Sequence, residues 1–155
     1  MKNILFTFAA MIIFAACSNK QTTIPSEGDG VSNEVAFEVA NNYFFKSDLD
    51  TLPASPKITS ENEFNKLFGM ATTMSEEGKP TKIDFAKQFV LAIVLPVTDD
   101  ATEVNPIKVE EKGDTLLYTY NVMKGEKQTY SIQPVSIIII DKKYENKEVV
   151  LSEDK

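Results

Sequence analysis

Four places in this sequence carry side chains equipped for chemistry. Asp99-Asp100-Ala101-Thr102-Glu103 gathers three carboxylates within five residues, the hard oxygen donors that calcium takes. Their spacing lacks the D-x-[DN]-x-[DN]-G pattern of an EF-hand loop, and a solvated turn between strands carries the same residues. Asp48 and Asp50 flank Leu49 close to Tyr43, a carboxylate pair of the kind that serves acid-base chemistry. Turn and capping hydrogen bonds explain both aspartates as well. Tyr118, Tyr120 and Tyr130 offer rigid amphipathic contact area for a protein or glycan partner. Alternating tyrosines also simply cover a core and leave the hydroxyl in water. The fourth place is Cys17, the only thiol.

What is missing narrows the chemistry further. The chain has no histidine, no arginine and no tryptophan. Without histidine there is no Ser-His-Asp or Cys-His catalysis, no imidazole base near neutral pH and no nitrogen ligand for zinc or copper. Without arginine there is no bidentate clamp on phosphate, and no GxxxxGK loop takes its place. Carboxylate-pair catalysis is the route left open, since 23 acidic residues always offer pairs. The expectation is a protein that is not an enzyme, with no catalytic residue, cofactor or metal. Asp99, Asp100, Tyr118 and Tyr120 are its candidate interaction residues.

The position of Cys17 is informative. Lys2 precedes Ile4 to Phe14 (ILFTFAAMIIF), an apolar run of eleven residues. A bilayer span needs about 20. A basic start, a short apolar run and small residues after it are the marks of a secretory signal. Phe14-Ala15-Ala16-Cys17 resembles the lipobox of bacterial lipoproteins, which implies a mature chain beginning at an acylated Cys17. Acyl chains contribute about 0.8 kcal/mol per buried methylene, enough to hold a protein at a membrane without a spanning helix. Residues 1 to 16 are thus read as a signal peptide and 17 to 32 as a flexible tether, too rich in Ser, Gly, Thr, Pro and Asp to bury a core. Residues 33 to 155 form one β-rich domain. Ser18 to Thr23 contain no acid, whereas surface-exported lipoproteins of some bacteria carry acidic residues there. That favours the periplasmic face, with the outer membrane as the expected site. Removing residues 1 to 16 leaves 15 basic against 23 acidic residues, a formal charge of −8, which argues against a nucleic-acid partner.

The elements that must position these residues are mostly strands. Glu34 to Lys46 alternates with period two and is read as a strand bent near Asn41-Asn42. Ser60 and Glu63 form a capping box before Phe64, Leu67 and Phe68, and Gly69 closes the expected helix. Ser47 to Pro56 and Ala71 to Pro80 read as loops. Phe89 to Val97 is apolar on both alternating faces, as expected of a central strand covered on each side. Glu103 to Glu111 and Thr115 to Met123 make a hairpin around Lys112-Gly113-Asp114. Gln128 to Asp141 ends in four isoleucines that favour strand, with Pro134 at an edge, a bulge or the start of the buried part. Val149 to Leu151 adds a short last strand. The fold class is mostly β (α+β): about six largely antiparallel strands in a sandwich or half-barrel, with one short amphipathic helix.

The order of these segments resembles a known family. The stretch from Ile58 through Phe64, Leu67, Phe68 and Gly69, then Ile83-Asp84-Phe85-Ala86-Lys87-Gln88-Phe89-Val90, the Tyr118 strand, and Pro134-Val135-Ser136-Ile137-Ile138 is similar to the C-terminal domain of the protease complex subunit PrcB family, over residues 55 to 143. Similar sequences occur as small lipoproteins of Bacteroides-type bacteria. The family commonly has a Gly-Gly-Tyr-like segment where this chain has Thr98-Asp99-Asp100-Ala101-Thr102. The resemblance implies a non-enzymatic β domain that binds or stabilises another envelope protein, such as a protease. The alternative is a lipoprotein that holds a small molecule, glycan or lipid on its sheet.

Overall fold

The computed structural model of the protein describes residues 33–49, 51–71 and 78–155. Two strands that are apolar on both faces lie at its centre. β5 (Gln88–Val94) and β8 (Val135–Asp141) pair antiparallel over their full length, from Gln88 opposite Asp141 to Val94 opposite Val135. Side chains alternate across a strand, so Phe89, Leu91 and Ile93 join Ile138 and Ile140 on one side, while Val90 and Ala92 join Ile137 and Ile139 on the other. Both sides must be covered, and both are. β1 (Phe37–Val39) adds to the outer edge of β8 and β3 (Lys57–Ile58) to that of β5, completing a four-stranded sheet.

The first face is covered by a second sheet of β6 (Thr98–Lys112), β7 (Thr115–Ile132) and β9 (Glu148–Glu153). It contributes Val104, Val109, Leu116 and Tyr118 to the core between the sheets. The opposite face is covered by helix α1 (Glu61–Leu67) and a two-stranded ribbon of β2 (Tyr43–Phe45) and β4 (Phe68–Met70), through Phe45, Phe64 and Phe68. The result is an antiparallel β sandwich with one short helix and a third layer on its back. The sheets do not close into a barrel. Nine strands occur among the described residues, more than the six expected, because short edge strands such as Lys57–Ile58 carry too few residues to show a period.

Several local expectations have physical explanations here. Asn42 takes a positive φ of 65°, which ends β1 and restarts the chain as β2, the bend expected at Asn41-Asn42. The Ser60 hydroxyl accepts a hydrogen bond from the Glu63 amide and caps α1. Gly69 does not close that helix. Phe68 is already extended, and Gly69 lies in β4 opposite Phe44, whose ring occupies the space a β-carbon would need. Pro134 falls between β7 and β8, where no ladder amide is required. The Asp84 carboxylate accepts from the Ala86 amide at 3.1 Å and its carbonyl accepts from Gln88, which turns the chain into β5.

β9 departs from antiparallel pairing and runs parallel to β7. Its direction follows from where the chain leaves β8. A 3₁₀ turn at Lys142–Tyr144 delivers Glu148 to the carbonyl of Asp114, at the start of β7, and the ammonium of Lys147 pairs with Glu111 at 2.7 Å. A strand begun there runs alongside β7 in the same direction. At that same end Asn33 and Val35 bond across to Glu111 and Val109 on the outer edge of β6. The chain therefore joins the domain beside the Gly113 turn.

Candidate functional site

β6 and β7 are longer than the sandwich they help to cover. Their partner β9 pairs with β7 only from Thr115 to Tyr120. The pair continues without it as a two-stranded arm, Thr98 to Asn105 against Asn121 to Ile132, at the opposite end from the Gly113 turn. The pairing slips between Thr98 and Asp100 and again between Asp100 and Thr102, where β7 contributes extra residues. Such bulges re-aim side chains. Here Met123 and Tyr130 become neighbours on a shallow depression of about 370 Å³, at 58% and 61% exposure.

Asp99 and Asp100 belong to this arm. The turn expected around them is instead the beginning of β6, because Thr98 to Lys112 pairs continuously enough with β7 to remain extended. Asp99 binds Lys127 across the strands at 2.7 Å, and the Asp100 amide donates to the Thr98 hydroxyl. Glu103 is exposed. Among the described residues no group of three or more Asp, Glu or Cys side chains is arranged to hold a metal ion.

The tyrosines divide. Tyr118 is fully buried at 0% exposure between the two sheets, which removes it from any contact surface and corrects its candidacy there. Its alternation with Leu116 faces it inward, opposite Val109. The hydroxyl has no hydrogen bond of good geometry among the described residues. Burial pushes its pKa up, the nearby Ser136 hydroxyl offsets only part of that, and Tyr120 adds to the rise. Tyr120 packs at the margin of the same core, 6.0 Å from Tyr118 between ring centres. Burial raises its pKa, with Glu153 beside it adding to the effect. Tyr130 is the one of the three that presents its ring to solvent.

A second concavity, of about 510 Å³, lies on the helix side. Phe64 forms its base, with the Tyr43 ring edge-on at 5.0 Å and Phe85 at 5.7 Å. Ile83 and Met70 continue the apolar wall, while Glu61, Lys79 and Lys82 stand at the rim. The Tyr43 hydroxyl donates to the Thr81 carbonyl at 2.7 Å, which fixes that wall, and burial raises its pKa. Phe64 and Phe85 look like core in sequence, and nothing in their spacing signals a groove. Asp48 sits in an exposed turn after β2, whereas Asp50, Cys17 and the tether lie outside the described residues. Among the described residues no helix is long and apolar enough to cross a membrane. Compared with protein-family models, curated proteins and solved structures, the chain gives no match.

Proposed function

We propose that this protein is a lipid-anchored lipoprotein of the bacterial envelope, held through Cys17 on the periplasmic face of the outer membrane, whose β sandwich is a non-enzymatic binding module for another envelope protein. In that role it stabilises a protease or other envelope complex, as the likeness to the PrcB domain implies. The observation that carries the reading is the arm, which exposes Met123 and Tyr130 together at the end of the domain opposite the point where the chain joins it. Exposed apolar groups on a soluble surface mark contact sites when they cluster. The test is photocrosslinking in living cells from position 130 of the intact protein. One dominant envelope partner is expected, and it should disappear when Met123 becomes Asp.

A second reading, binding of a lipid or other small molecule, has its own observation in the Phe64 and Phe85 groove. Such a ligand raises the melting temperature in proportion to RT ln(1 + [L]/Kd). A panel of fatty acids and glycans that stabilises the wild type and not Phe85→Glu favours this reading over the first.

A further inference from the structure

We propose that the arm takes its partner by strand addition, with an extended, cationic segment of the partner protein lying along the outer edge of β7 beyond Tyr120. This inference rests on the binding-module reading above and specifies how the module binds.

The backbone carries the argument. The last bond on that side of β7 runs from the Asp154 amide to the Tyr120 carbonyl. Amide and carbonyl of one residue point the same way and successive residues alternate, so Val122 and Lys124 present the next pairs toward the line that β9 has been following. No described residue accepts or donates to them there. Pairing with β6 is regular over this stretch, with Asn105, Val104 and Glu103 opposite Asn121, Val122 and Met123; it lies between the irregularity at Pro106 to Lys108 and those between Thr102 and Thr98. A segment placed on the edge therefore meets a straight ladder. On β6 the outer edge is engaged by Asn33 and Val35 at Val109 to Glu111, the end away from the arm.

Charge and side chains define the occupant. The arm carries Asp99, Asp100, Glu103 and Glu126 against Lys124 and Lys127, and the Asp99–Lys127 pair neutralises one of each sign. What remains is acidic. Main-chain bonds supply affinity in strand addition and side-chain contacts supply selection. Opposed residues share a face, so Glu103 lies with Met123 on one side of the arm and Val104 with Val122 on the other. Alternating basic and apolar residues would lay the basic ones along the first and the apolar ones along the second.

The probe is a synthetic octapeptide of alternating Lys and Val, with a Glu-Val peptide as its counterpart, added to the full-length protein while amide hydrogen exchange is followed. At ten times Kd the Lys-Val peptide should slow exchange at the Val122 and Lys124 amides about tenfold. The Glu-Val peptide should not. Lys124→Pro removes one edge amide at a position where proline is tolerated and should abolish the protection without lowering the melting temperature. Should that variant misfold, Glu103→Lys with Glu126→Lys serves instead, and should weaken Lys-Val binding while leaving the edge intact. Equal protection by both peptides, protection confined to β3, or no protection overturns strand addition by a cationic segment. In-cell crosslinks from position 130 that survive such a result leave the binding module standing and remove only its mode. Loss of the crosslinks as well removes both.

Discussion

Replacing Ile138 or Ile139 by alanine tests the three-layer arrangement, because the two residues are adjacent in β8 and point to opposite cores. Ile138, at 0% exposure, packs with Phe89, Leu91 and Tyr118 between the sheets. Ile139, at 2%, packs with Phe45, Phe64 and Phe68 beneath the helix and ribbon. A fully buried Ile→Ala change costs about 2–5 kcal/mol from lost transfer energy and the cavity left behind. Both sites are walled by aromatic rings that cannot collapse far, so each change should cost about 3.5 kcal/mol. Against a typical stability of about 5–15 kcal/mol, neither variant need unfold. The corresponding Ile138→Asp places an unpaired charge there and should unfold the domain. Urea denaturation followed by circular dichroism reads the cost, with an unchanged m-value showing that the same surface is exposed. Val39→Ala on β1, at 38% exposure, should stay within about 1 kcal/mol as the control. A cost below about 1 kcal/mol for Ile139→Ala, beside a full cost for Ile138→Ala, would refute the reasoning, since β8 would then be an ordinary half-exposed strand.

Tyr118→Phe removes a buried hydroxyl that lacks a well-formed bond and should leave stability unchanged or raise it by up to about 1 kcal/mol. A loss above that in thermal unfolding would mean that the Ser136 hydroxyl does engage it. Burial raises the pKa of Tyr118 and Tyr120 above the ordinary 10.0, so the unfolded chain releases these protons first and folding stability from this source falls as pH climbs above about 10. Phenolate absorbance titration of the folded protein should give midpoints above that of free tyrosine, and an ordinary midpoint for both would contradict their burial. Cys17→Ser should move the protein from the membrane to the soluble fraction of lysed cells; retention in the membrane would sink the lipid anchor. Gly113 adopts a φ of 62°, so Gly113→Ala should cost about 1 kcal/mol in denaturant titration, and no cost would show that the turn can relax.

The central architecture was legible in the sequence for a simple reason. Phe89 to Val94 and the isoleucines at 137 to 140 have no polar side, and a strand without a polar side has to be sandwiched. Ser60 with Glu63 located the helix start because a cap is a local bond. The arm was not legible. Asp99 and Asp100 resemble turn residues, and only their pairing with Lys127 and its neighbours keeps them extended. Tyr118 and Tyr130 are the same residue type on the same strand, yet one is core and the other exposed. The bulges that separate them come from a count of residues between two strands, which neither strand alone contains. Gly69 was misread for a related reason: glycine after an apolar turn signals a helix end, and here it leaves room for Phe44 from a strand more than twenty residues earlier.

The arm is also separable from what holds the domain together. Met123, Lys124, Glu126, Lys127 and Tyr130 belong to neither apolar core, and both cores close around β5 and β8 without them. A sandwich stabilised only by those cores has no need of the strand length beyond Val104 and Val122. Extending β6 and β7 past that point orders additional backbone, at about 1–2 kcal/mol per residue, without an apolar core to offset it. The inter-strand bonds and the Asp99–Lys127 pair recover part of that cost, but an exposed ion pair contributes little. On the proposed strand addition, main-chain bonds from the added segment would offset the rest of that cost in the complex.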